Sequence, residues 1–243
     1  MYKIALNAGH GMSTPGKRCL KSIDTNETRE NFLNRRICDK IEDKLRAYEG
    51  YEVIRCDDVS GAEDYSVAKR AETANNFGAN IYISVHHNAA INGGSGGGVE
   101  AYVYINVGED TKAIQKALYD AVIKHTGLKG NRSQPLRQAN FGECRLTKMR
   151  AVLLECGYMD STVDTPIILT DKFADQAAEG IVEALVADGK LTKKPVATND
   201  EVIPDNVNEY FRVQLGAFKN KAYAIALQEK LKAAGYDAII KIY

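Results

Sequence analysis

The sequence carries no excess of either charge: 32 Lys and Arg balance 32 Asp and Glu over 243 residues. A nucleic-acid binder relying on phosphate neutralisation needs a basic surplus, so that partner class is set aside. Long apolar runs are missing too, which excludes a transmembrane segment, and 44% hydrophobic residues are enough to exclude a disordered chain. The five cysteines, Cys19, Cys38, Cys56, Cys144 and Cys156, form no C-x-x-C pair and are odd in number. They read as reduced thiols, and a cysteine-rich structural metal site is excluded by their spacing. The amino terminus lacks the charged and apolar blocks of a signal peptide, so synthesis in the cytoplasm is expected.

What is present is an alternation of strand and helix signals. Tyr2 to Asn7 reads as a buried strand running into the turn Ala8-Gly9-His10-Gly11. From Glu27 to Tyr48 the residues Leu33, Ile37, Ile41 and Leu45 recur every fourth position, as one face of a helix with Glu27 in its first turn. Tyr51 to Arg55 predicts a strand, Ser66 to Phe77 a helix, and Ile81 to Val85 a strand buried on both faces, with His86 and His87 just past it. Val99 to Ile105 is a further strand and Ile114, Leu118 and Val122 a further helix stripe. Met149 to Leu154 leads into Glu155, and a helix follows Asp171. This pattern predicts an α/β fold, a three-layer sandwich around a twisted, mostly parallel sheet, over residues 1–187. Such sheets bind ligands beyond the C-terminal ends of their strands, where His10, His86 and Glu155 fall.

Residues 188–208 lose the pattern and read as a linker. Residues 209–243 then suggest a small α+β unit: a strand at 210–215, a helix from Asn220 to Ala234 and a strand at 236–242. That unit holds six Lys or Arg against three Asp or Glu, a modest basic bias.

Three of the four histidines lie at two strand tips, and His10, Glu27 and His86 can converge there. Two imidazoles and a carboxylate with one position left for water is a ligand set for a catalytic metal that polarises a carbonyl. Glu155, at the end of an apolar run, is placed where burial raises a carboxyl and suits it to general acid/base work. Each residue also has an ordinary explanation, since a first-turn glutamate is favoured by the helix dipole and a strand-tip histidine by backbone groups. His125, in the last turn of a helix, has only the ordinary one. Two motif matches are discounted: Gly11 to Arg18 fits a phosphate loop except for Arg18 where Ser or Thr is required, and Gly93 to Gly97 precedes a strand where a nucleophile elbow precedes a helix.

The segments Asn7-Ala-Gly-His10-Gly11, Asn26-Glu27 with Asn31, Ser84-Val-His86-His-Asn88-Ala89, Gly98-Val-Glu100-Ala-Tyr102 and Leu153-Leu-Glu155-Cys-Gly157 together resemble the type 3 zinc-dependent N-acetylmuramoyl-L-alanine amidases. The resemblance implies a zinc enzyme that cleaves the amide between N-acetylmuramic acid and L-alanine in peptidoglycan. It gives His10, Glu27 and His86 as metal ligands and Glu155 as the catalytic glutamate. Glu30 and His87 are the neighbouring alternatives; Asn31, four places after Glu27, and the place of His86 second after Ser84 decide against them. Asn88 and Glu100 are candidates to orient a ligand, or ordinary turn and strand residues. Asn7-Ala8 stands where the common family form has Asp-Pro. The tail resembles the first half of a SPOR domain, a peptidoglycan-binding module, and so small a unit is expected to need a partner, here a second copy forming a homodimer. Cell-wall action without an export signal implies release by lysis, as a phage lysin or a mother-cell autolysin, of which the lysin is preferred. A wall-binding protein without catalysis and a zinc carboxypeptidase are the competing readings. The filled chemical positions speak against the first, and the absence of His-x-x-Glu after His10 speaks against the second.

Overall fold

A computed structural model describes residues 1–195, 221–233, 236 and 238–240. Contacts divide the chain into two units, Met1–Val196 and Ala197–Tyr243. In the first, strands β1 (Tyr2–Ala8), β3 (Tyr51–Arg55), β4 (Ile81–Asn88), β5 (Val99–Val103), β6 (Leu136–Gln138) and β7 (Arg150–Tyr158) form one sheet in the order β3-β1-β4-β7-β5-β6. The pairs β1/β3, β1/β4, β4/β7 and β5/β6 are parallel, and β5 runs antiparallel to β7. Two short strands, β2 (Tyr48–Glu49) and β8 (Thr192–Lys193), pair separately. The expected mostly parallel α/β sandwich is therefore the observed fold.

Side-chain alternation assigns each strand residue to a layer. Ile4, Leu6, Ile81, Ile83, Val85, Val152 and Leu154 join the larger core, covered by helices α1 (Glu30–Leu45), α3 (Glu109–Thr126) and α6 (Asp171–Gly189). Ala5, Tyr82, Ala151 and Leu153 face the smaller cluster, under α2 (Val67–Phe77) and α4 (Gly142–Arg145). The short α5 (Asp164–Ile168) follows β7. The i, i+4 stripe of α1 is buried throughout, at 1% exposure or less for Leu33, Ile37, Ile41 and Leu45.

Helix α1 begins at Glu30, three residues later than the periodicity suggested. Asp24 explains the delay: its carboxylate accepts the backbone N–H groups of Asn26 and Thr28, closing a turn that puts Glu27 at φ +47°. Cys19 N–H then donates to Thr28, and Arg18 bridges Arg29, so 28–29 pair sideways before the helix starts. At the other end the first unit runs past the expected boundary at 187, because α6 continues to Gly189 and β8 pairs with β2. In the second unit the expected helix is α7 (Lys221–Ala233). The strand expected at 210–215 lies outside the described residues, and Tyr236 and 238–240 are not in a strand. Among the described residues no helix is long and apolar enough to cross a membrane. All five cysteines are buried and free.

Candidate active site

Three elements bring the candidate ligands together. His10 follows the C-terminal end of β1, in the left-handed region at φ +63°, a conformation that is costly for a residue with a Cβ and needs outside support. That support is specific: Asn31 donates to the carbonyls of Gly9 (3.1 Å) and His10 (2.8 Å), Asn34 donates to Gly9 (3.1 Å), and Arg70 donates to Ala8 (2.8 Å) and His10 (3.0 Å). Gly9 has no freedom to carry a side chain, since a Cβ there would fall within the His86 ring.

His86 lies inside β4, two residues before its end, because the strand runs three residues past the expected Val85. Alternation separates it from its neighbour. His86 points to the same side as Ser84, whereas His87 enters the α1/α6 layer, where its Nδ1 bonds Asn34 Oδ1 at 2.7 Å and its ring packs against Phe173. His87 is thus taken up by the helices.

The carboxylate that meets the two imidazoles is Glu30, and this corrects the expectation of Glu27. Glu30 Oε1 lies 3.1 Å from His86 Nδ1 and 3.4 Å from His10 Nε2, and one ligand atom from each of the three residues falls within 4.8 Å of the others. Glu27 points elsewhere and pairs with Arg18 at 3.0 Å and Lys21 at 3.7 Å, both largely exposed. The sequence held the signal, because Glu30-x-x-x-Asn34 has the same spacing as Glu27-x-x-x-Asn31. Asn34 donates weakly to Glu30 Oε1 (3.4 Å), and placing the motif register on Asn31 instead of Asn34 selected the wrong carboxylate.

Electrostatics tie the three groups together. Burial would raise the Glu30 carboxyl, but the hydrogen bond and charge of His86, helped by His10 and Lys17, outweigh it and hold it at about 2. For His86 burial is likewise outweighed, here by Glu30 and then by Glu143 and Glu155, so its affinity for a proton is raised. Burial dominates at His10 and takes it down to about 4. Glu30 Oε2 is buried without a hydrogen-bond partner, 3.8 Å from Lys17 Nζ. Two imidazoles around a buried carboxylate with an unpartnered oxygen fit a divalent metal, which would take the place of the proton on His86 Nδ1.

Glu155 is the register partner of His86 across β4 and β7, and it faces the same side by alternation. Its Oε2 is buried and unpartnered, and burial raises the carboxyl to about 7 against the lowering effect of His86. An open cavity of 290 Å³ reaches it, lined by Lys17, Asn88, Ala89 and Met159 among others. The discounted Gly11–Arg18 loop thus serves the site through Lys17.

Asn88 and Glu100 do not touch His10, Glu30 or His86, which corrects their expected ligand-orienting role. Glu100 stands opposite Glu155 across β5 and β7, fully buried, and accepts from Asn88 (3.1 Å), Tyr158 (2.5 Å), Tyr102 (3.3 Å) and Arg137 (3.1 Å). Its charge adds to the raising of Glu155. The partner of the His86 ring is Ser84, whose Oγ lies 3.1 Å from Nε2. Sequence reasoning missed this residue and also Glu143, which sits on α4, a four-residue helix with no periodic signal.

The C-terminal edge of this mostly parallel α/β sheet thus carries a His10-Glu30-His86 cluster that could hold a metal ion, with the raised Glu155 carboxyl beside it. Comparison with known proteins gives the family. Amidase_3, described as N-acetylmuramoyl-L-alanine amidase, matches residues 4–187, and the SPOR domain matches residues 207–243. The chain belongs to the Amidase_3 family. It is 30% identical to a sporulation-specific N-acetylmuramoyl-L-alanine amidase of Bacillus subtilis (strain 168), covering 99% of this chain and 84% of that protein. An endolysin of Bacillus phage SPP1 is 30% identical over 79% of this chain and 67% of its own length. Among solved structures, an N-acetylmuramoyl-L-alanine amidase from Clostridium difficile 630 superposes with a TM-score of 0.69 at 26% identity, covering 76% of this chain and 95% of that one.

Proposed function

We propose that the protein is a zinc-dependent amidase that hydrolyses the bond between the lactyl group of N-acetylmuramic acid and the L-alanine of the stem peptide, opening the cell wall. The observation that carries this reading is the convergence of His10, Glu30 and His86 beside Glu155 at one edge of the sheet. Zinc held by those three side chains would polarise the scissile carbonyl and acidify the attacking water. Glu155 takes a proton from that water as its oxygen bonds to the carbonyl carbon, then delivers it to the amine nitrogen as the C–N bond breaks. A carboxyl raised to about 7 is matched to accept and release a proton near neutrality. Asn31 and Arg70 hold the His10 turn, and Asn34 steadies Glu30, so the donors are positioned before substrate arrives. Lys17 stands at the cavity with a cation for the carboxylate-bearing stem peptide.

The SPOR match on the C-terminal unit supports wall anchoring, and two such units pairing would make the enzyme a homodimer. Relatives of both kinds, a sporulation amidase and a phage endolysin, fit an enzyme that reaches the wall when a cell lyses. The test is digestion of purified peptidoglycan with end-group analysis. New L-alanine amino termini are expected; release of C-terminal D-alanine instead would identify a carboxypeptidase, and binding without new termini a wall-binding protein.

A further inference from the structure

The geometry points to Glu143 as a positioning residue that, through Ser84 and by its own charge 4.0 Å from His86 Nε2, sets which nitrogen of His86 is free to bind the metal. Glu143 is buried on α4, and its Oε2 accepts from Asn7 Nδ2 (3.0 Å), Tyr82 OH (2.5 Å) and Ser84 Oγ (2.7 Å). A hydroxyl has one proton to give. With that proton committed to Glu143, Ser84 Oγ acts only as an acceptor towards its two other neighbours, Asn7 Nδ2 at 2.8 Å and His86 Nε2 at 3.1 Å. The His86 ring must therefore carry a proton on Nε2, and Nδ1, which faces Glu30 at 3.1 Å, is the nitrogen left to the metal.

The same network reaches the other histidine. Asn7 and Ser84 are register partners on β1 and β4, so their side chains stand together on the α2/α4 side of the sheet. Asn7 Oδ1 accepts from Arg70 (2.8 Å), and Arg70 holds the carbonyl of His10. One run of buried groups, Arg70 to Asn7 to Ser84 to Glu143, thus braces both imidazoles. Position 7 is an amide where the common form of the family has a carboxylate, and in this chain the carboxylate of the network comes from α4 across the layer. The amide and the acid are complementary: Asn7 donates where an aspartate would have repelled Glu143.

This inference rests on the proposed metal site, and its test separates the two. The zinc-loaded full chain, labelled with nitrogen-15 at histidine, is examined by long-range proton–nitrogen NMR, and zinc retention is measured by chelator competition. In the wild type the remaining His86 ring proton is expected on Nε2. Glu143→Gln and Ser84→Ala are each expected to weaken zinc about 10- to 100-fold, the usual cost of removing a group behind a histidine ligand. Asn7→Asp is expected to weaken zinc as well, since two carboxylates would then compete for the one Ser84 proton. The double variant Asn7→Asp/Glu143→Gln exchanges acid and amide and is expected to recover zinc affinity to within about threefold of wild type, the coupling of residues in one network. That recovery separates positioning from mere packing, and it carries the test if Glu143→Gln alone folds poorly. A ring proton on Nδ1, or wild-type zinc retention in Ser84→Ala and Glu143→Gln, would overturn the relay while leaving the metal site intact. A wild type that takes up no zinc would overturn both.

Discussion

Replacing Glu30 and Glu27 by glutamine, one at a time, separates the two carboxylates that the sequence alone confuses. Glu30 is 1% exposed, and its Oε1 lies against both imidazoles at 3.1 and 3.4 Å. If the proposed site holds zinc, Glu30→Gln removes one of its three side-chain ligands, so zinc affinity should fall by more than the roughly 100-fold that a supporting residue costs. In the metal-free protein the amide also exchanges the charged acceptor of the His86 Nδ1 hydrogen bond for a neutral, weaker one. Glu27 is different in kind. Its contacts are ion pairs with Arg18 and Lys21, which are 45% and 77% exposed, worth about 0–1 kcal/mol after solvent screening. Glu27→Gln should therefore keep zinc and activity near wild type. The assay is zinc content after dialysis against a graded chelator series, with thermal unfolding run alongside. Zinc lost from Glu27→Gln and kept by Glu30→Gln would refute the assignment.

Gly9→Ala should abolish zinc binding and lower the unfolding midpoint, because the new methyl occupies the space of the His86 ring; normal zinc content in that variant would show the turn to be looser than described. Acid stability offers a check away from the site. Asp188 pairs with Arg150 and Tyr2, and although burial opposes it, these partners lower its carboxyl below the ordinary value. A lowered carboxyl stabilises the fold above its unfolded pKa of about 4, and that contribution is lost as pH falls through the folded value. Denaturant unfolding should thus show the wild type losing more stability than Asp188→Asn between about pH 5 and 3; parallel pH curves would contradict this. For the C-terminal unit, light scattering of the full chain should give a dimer and of residues 1–195 a monomer. A monomeric full chain would remove the pairing proposal.

Much of this architecture is readable from periodicity. The near-continuous apolar run Ile81 to Val85 and the four-residue stripe Leu33, Ile37, Ile41 and Leu45 report burial directly, and each lies inside an observed element. What periodicity cannot supply is the exact start of α1, because the Asp24 turn is a local hydrogen-bonding device with no apolar signature. With the helix starting at Glu30, it is Glu30 and not Glu27 that meets the two histidines. The supporting groups were harder still to read. Ser84 is one polar residue in a buried strand, and Glu143 belongs to a helix too short for a stripe, so their meeting depends on the packing of β1, β4 and α4. The ligand-orienting role expected of Asn88 and Glu100 depended on sheet pairing that motif position does not show: the antiparallel pairing of β5 with β7 sets Glu100 against Glu155 and away from the histidines.

In the proposed reaction a metal bound by His10, Glu30 and His86 works with Glu155 as the proton carrier in amide hydrolysis. Glu155→Gln tests it most directly, with zinc content and release of L-alanine amino termini from purified peptidoglycan measured on the same preparation. Full zinc and a loss of turnover of at least about 100-fold, the lower bound for removing a general acid/base, are expected. Wild-type turnover in a zinc-loaded Glu155→Gln protein would contradict it.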